Sequence, residues 1–84
     1  MKEITIEVEG MRCGMCESHV NDAVRKACEV KKVNSSRHKK QTVIIAEDDF
    51  DANVAVRAIA EQGYDTGKVT VKPYEKHGLF HFKK

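Results

Sequence analysis

The sequence predicts an α+β sandwich of order β-α-β-β-α-β: one four-stranded antiparallel sheet with two helices on one face. Three observations carry that prediction. The chain opens on a clean polar–apolar alternation, KEITIEVE at residues 2–9. Two later segments change to a repeat of three to four residues. Between those segments lie two β-rich runs joined by a short polar turn. A period of two marks a half-buried strand and a period near 3.6 an amphipathic helix. Two strands that each lead into a helix, with a hairpin between, make the ferredoxin-like arrangement.

Each element follows from its residues. In the first strand Ile4, Ile6 and Val8 share one face, Glu3, Thr5, Glu7 and Glu9 the other, and Gly10 ends the run. From Cys16 the spacing of Val20, Ala23, Val24 and Ala27 is helical, with Glu17 and Asp22 early and Arg25 and Lys26 late. That polarity suits the helix dipole, and the helix is expected to end near Cys28. VKKVNSS and QTVIIAE then read as a hairpin turned by RHKK. DDFDANVAVRAIAEQG reads as the second helix, capped by Asp49 or Asp51, with Val54, Ile59 and several alanines as its apolar face and Gly63 as its stop. KVTVK is the last short strand, stopped by Pro73.

The chain has 84 residues, enough for one small domain with a modest stability margin. Residues 1–72 are assigned to that domain and residues 73–84, PYEKHGLFHFKK, to a C-terminal tail. The tail either stays flexible or lays Leu79, Phe80 and Phe82 on the open sheet face. A net charge of +2 and five aromatic residues among tyrosine and phenylalanine give no footprint for nucleic acid. Arg25, Lys26, Lys31, Lys32, Arg37, Lys39 and Lys40 do gather locally. They read as a solvated face, with a docking surface for an acidic partner as the sharper alternative. Met1 leads straight into the alternating run, so no signal peptide is expected, and no apolar stretch approaches the roughly 20 residues that span a bilayer. Three cysteines do not form an even disulfide framework, which points to a reducing, cytoplasmic setting.

The chemistry concentrates in GMRCGMC, residues 10–16. In the predicted fold Cys13 follows the first strand and Cys16 falls in the first turn of the first helix. Helix N-termini offer unsatisfied N–H groups and partial positive charge, which favour thiolate over thiol. Thiolate is the form that binds metal. Gly14 is expected to let the loop turn back and to leave room beside the sulfurs. Two thiolates without further ligands suit a soft ion of low coordination such as Cu(I). Structural zinc takes four ligands, and no second CxxC or histidine pair completes such a set. A thioredoxin-like redox site also places CxxC between strand and helix, but tryptophan is absent and the single proline is Pro73.

GMRCGMC resembles the Gly-Met-x-Cys-x-x-Cys motif of heavy-metal-associated domains, which include bacterial copper chaperones, amino-terminal domains of copper-transporting ATPases and the periplasmic mercury-binding protein. CESHVNDAVRKA is similar to that family's first helix, VKKVNSSRHKKQTVII to its hairpin, and AIAEQGYDTGKVTV to its second helix and last strand. The resemblance covers about residues 2–72. It implies the ferredoxin-like fold and implies Cys13 and Cys16 as the metal ligands. It further implies that Met11 points into the core and steadies the loop, and that Tyr64 lies near the metal loop as in bacterial copper chaperones. The tail from Pro73 and Cys28 fall outside the family pattern.

The other candidate residues read more plainly. Met15 and His38 are expected to be exposed, with a thioether contact to a soft metal as the alternative for Met15. His19 is read as solvent-facing, with an occasional extra ligand as the alternative, and Cys28 as a buried structural thiol. His77 and His81 lie in the tail and read as ordinary tail histidines, with a second weak site or a fold-back toward Cys13 and Cys16 as the sharper readings. No acid–base, nucleophilic or phosphate-binding arrangement suggests an enzyme. The function expected is a Cu(I) metallochaperone that hands its ion by ligand exchange to a copper-transporting ATPase or its metal-binding domain. Binding of mercury, zinc or cadmium, CxxC redox chemistry, and metal sensing are the rival readings. A monomer is expected, or a dimer bridged by metal.

Overall fold

The computed structural model describes residues 1–12 and 14–74. Its elements run β1 (Lys2–Glu9), α1 (Gly14–Ala27), β2 (Lys32–Ser36), β3 (Gln41–Ala46), α2 (Ala52–Glu61) and β4 (Asp65–Pro73). The four strands form one sheet in the order β2-β3-β1-β4, and every neighbouring pair is antiparallel. This is the ferredoxin-like sandwich that the periodicities predict.

The alternation of β1 sets the core. Ile4, Ile6 and Val8 are buried, and across from them Ile44 pairs with Ile4 in register. Val20 and Val24 from α1 and Ala55 and Ile59 from α2 close over that face. Each fully buried isoleucine or valine is worth about 1.5–3 kcal/mol relative to exposure, so this single layer is the main source of stability in so short a chain.

The helices differ from expectation in their details. In α2 the inward stripe is Ala55, Ala58 and Ile59, while Val54 is 40% exposed. Val54 sits one residue, about 100° of helix, away from Ala55 and so turns past the edge of the buried face. In α1 Ala27, the last residue of the helix, is likewise exposed. Asp51 rather than Asp49 is the N-cap of α2, its carboxylate accepting from the Asn53 N–H at 2.9 Å. The helix closes at Gln62, and Gly63 follows with φ +95° and its N–H on the Ala60 carbonyl.

β4 is longer than the five residues expected. It begins at Asp65, pairs Asp65 and Thr66 with the end of β1, and reaches Pro73 opposite Lys2. Proline is tolerated there because β4 is an edge strand. A bulge between Ile6 and Val8 separates the two halves of this pairing, and the Lys68 N–H in the bulged stretch is taken up by Glu7 Oε1 at 3.2 Å. The expected roles of Leu79, Phe80 and Phe82 lie outside the described residues.

Topology decides what lies at each end of the sheet. β1, β2 and α2 all run toward one end, so the segment 10–12, the turn 37–40 and the segment 62–64 gather there. The chain start, the α1–β2 link and the β3–α2 link occupy the other.

Candidate metal centre

The segment between β1 and α1 is built around Gly10. Its φ of +106° belongs to the region that side chains disfavour. The same position also faces Tyr64, whose ring carbon would lie 3.3 Å from a Cβ added at Gly10. Tyr64 thus covers the end of β1, where the resemblance puts it. The turn that frees the chain from the strand is made at Gly10. Gly14 corrects the expectation of a loop glycine: it is the first residue of α1 and has no positive φ.

Met11 is partly buried and packs against the core cluster, as the resemblance implies. Its thioether is adaptable enough to fill an irregular gap while fixing one side of the loop. Met15 is 68% exposed. Cys16 is partly buried in the first turn of α1. That turn presents the unsatisfied N–H groups and the positive pole of a 14-residue helix. Cys13 lies outside the described residues, between the described Arg12 and Gly14.

The β2–β3 turn braces both sides of this segment. On one side the Val8 N–H donates to the Lys40 carbonyl at 2.9 Å, with Lys40 itself at φ 56°. On the other the Arg37 N–H donates to Glu17 Oε2 at 2.7 Å, and the Arg37 guanidinium lies 3.5 Å from Glu17 Oε1. A Cβ built on Gly14 would stand 3.7 Å from that guanidinium and 4.0 Å from Glu17 Oε1. Sequence reasoning took Glu17 as a dipole partner and Arg37 as turn polarity. Their pairing across 20 positions leaves no local signal.

The remaining candidates separate from the site. His19 and His38 are exposed. Cys28 follows the last turn of α1, about 18 Å along the axis from Cys16 at 1.5 Å per residue. It is partly buried rather than fully buried, its Sγ donates to the Val24 carbonyl at 3.2 Å, and burial pushes its thiol pKa up. Among the described residues no three histidine, cysteine, aspartate or glutamate side chains cluster as a metal site. His77 and His81 lie outside the described residues. The basic group is largely paired: Arg25 with Asp22, Lys31 with Glu47, Arg37 with Glu17 and Lys40 with Glu9. Among the described residues no helix is long and apolar enough to cross a membrane.

No protein-family model matches the chain. A curated mercuric reductase of Lysinibacillus sphaericus is 32% identical over 69 residues, which is 82% of this chain. The chain spans 12% of that protein's length. Among solved structures, a CopZ metallochaperone is 31% identical with a TM-score of 0.72, over 80% of this chain and 100% of its own. A protein of Bacillus anthracis str. Ames described as copper-ion-binding is 26% identical with a TM-score of 0.69, over 80% of this chain and 97% of its own. The two solved structures share the fold built up above. The chain belongs to the heavy-metal-associated domain family, whose fold it has in full through β4.

Proposed function

We propose that the chain carries a single Cu(I) ion on Cys13 and Cys16 and passes it to a cysteine-bearing partner. The observation that carries this reading is the position of the CxxC motif: Cys16 stands in the first turn of α1 at an open end of the fold, in a chain of this family. The thiolates are favoured by the helix N-terminus and the soft ion by the thiolates. Two ligands suffice for Cu(I), so the coordination shell stays open to an incoming sulfur. Transfer then proceeds by ligand exchange: a partner thiolate adds, a three-coordinate ion forms, and a thiolate of the donor leaves. The chain's part in this is binding and orientation, with no catalysed bond change. The partner fitting such an exchange is a copper-transporting ATPase or its metal-binding domain, and a cytoplasmic carrier would meet it at the membrane surface.

The test is an anaerobic Cu(I) titration against a chromophoric chelator. One equivalent binds tightly, and Cys13→Ser with Cys16→Ser abolishes it; undiminished affinity in the double variant overturns the reading. The mercuric reductase likeness supports a second cargo, Hg(II), on the same two sulfurs. Zinc and cadmium compete there less well, because two thiolates leave their larger ligand demand unmet. Competition among the ions distinguishes these cargoes.

A further inference from the structure

The apolar layer of the sheet continues onto β4 and stops there uncovered. Val71 stands opposite Ile4 and Val69 opposite Ile6, so both valines share the face on which those isoleucines are fully buried. Yet Val69 is 38% and Val71 49% exposed. The backbone of β4 is also only half used. The Tyr74 N–H donates to the Met1 carbonyl at 3.0 Å, and the alternation of an antiparallel ladder then turns the N–H groups of Lys72 and Thr70 toward β1 as well. Val69, Val71 and Pro73 direct their backbone groups away from β1, and among the described residues no strand pairs with that side. Proline has no N–H, so Val69 and Val71 are the donors of this edge beside Pro73. The opposite edge differs: β2 has five residues against nine in β4, and its one apolar side chain, Val33, is buried. An edge that is long and apolar is the kind that takes up another strand.

We propose that the edge of β4 is a docking surface for residues 79–84, LFHFKK, which add to it as a fifth, antiparallel strand. The chain leaves β4 on the edge itself, and the ten residues after Tyr74 divide into EKHG and LFHFKK. Four residues ending in glycine suit a hairpin loop built on a type I turn. Six extended residues reach about 20 Å, enough to run back along residues 69–74. With that loop Leu79 meets Tyr74, Phe80 meets Pro73 and Phe82 meets Val71. Side chains alternate, so Phe80 and Phe82 fall on the face that carries Ile4 and Val71 rather than on the open face. Phe82 and Val71 become a cross-strand apolar pair, and the outward N–H of Val71 gains a carbonyl. A second copy could use the same edge, but a four-residue loop holds the tail beside β4 at an effective concentration in the millimolar range. The fifth strand closes an edge that would otherwise invite pairing with other chains. Ion binding at the cysteines plays no part in this.

The experiment is amide hydrogen exchange by NMR on the reduced full chain, compared with the variant Phe80→Asp plus Phe82→Asp. The Val71 N–H is expected to exchange about tenfold more slowly in the parent chain than in the variant. The Thr70 and Lys72 N–H groups, held by β1, are expected to stay protected in both, which establishes that the variant folds. Nuclear Overhauser contacts are expected between the Phe82 ring and the Val71 methyl groups. Contacts of that ring with Thr5 and Val43, which pair on the other face, would place the tail on the open face and overturn the inference. Equal exchange of Val71 in parent and variant overturns it too. Protection of Val71 that fades on dilution, together with a change from dimer to monomer mass, makes a second copy the occupant and likewise overturns it.

Discussion

The Ser35 hydroxyl donates to Asn21 Oδ1 at 2.7 Å, joining β2 to α1 across 14 positions of sequence. The single proton of Ser35 is thereby spent, so the contact of 2.9 Å with Thr42 is made by the Thr42 hydroxyl donating to Ser35 Oγ. Thr42 is fully buried and Ser35 nearly so. This short chain of hydrogen bonds is how an apolar layer tolerates two hydroxyls.

Ser35→Ala is expected to destabilise the fold by about 1–2 kcal/mol, because it strands the buried Thr42 hydroxyl. Thr42→Val is expected to cost less, about 1 kcal/mol or below, since Ser35 keeps Asn21. Urea unfolding of both and of the double variant checks this. The double variant should cost less than the sum, because the second change removes the group that the first leaves unsatisfied.

Gly10→Ala is expected to cost about 1–2 kcal/mol, from the left-handed backbone and from the crowding against the Tyr64 ring together. The added Cβ meets that ring at 3.3 Å, tight enough that Tyr64 must shift. Thermal melting measures the loss, and tyrosine fluorescence reports the movement of the ring. A variant that melts with the parent would show that the turn at Gly10 relaxes without strain.

The Cys28 thiol, its pKa raised by burial, is expected to resist alkylation. At pH 8 iodoacetamide should modify Cys28 more slowly in the folded chain than in urea, with mass spectrometry of peptides as the readout. The sign of the pH effect follows. The unfolded chain loses this proton first as pH rises, so the thiol's contribution to stability is complete below its ordinary pKa and disappears as pH climbs through the raised one. Cys28→Ala should therefore flatten the decline of stability above about pH 9.

Much of this fold was legible in the sequence because its signals are local. Ile4, Ile6 and Val8 alternate and are buried together. The hairpin and the Asp51 cap depend on residues a few positions apart. Where the reading missed, the deciding contact lay elsewhere in the chain. Val54 looked as apolar as Ile59, but which side of α2 turns inward is set by packing against α1 and β4. The residues of β4 before Lys68 carry no β-rich pattern. They are strand because the end of β1 offers them partners. At the site, Cys16 at a helix start and Met11 on the core were readable from the motif, whereas the Glu17–Arg37 clamp exists only once the turn has folded over α1. The placement of the turning glycine at 10 rather than 14 also escaped, since both satisfy the same local pattern.

The Tyr74 N–H reaches the Met1 carbonyl at 3.0 Å, so β1 is entered and β4 is left at the same end of the sheet, opposite Gly10. Met1 and Tyr74 thus lie together at the end of the sheet remote from Gly10 and the first turn of α1. The seam between β1 and β4 is therefore fastened at its far end by the first and last described residues, and the bulge between Ile6 and Val8 lies at the half of that seam nearer Gly10.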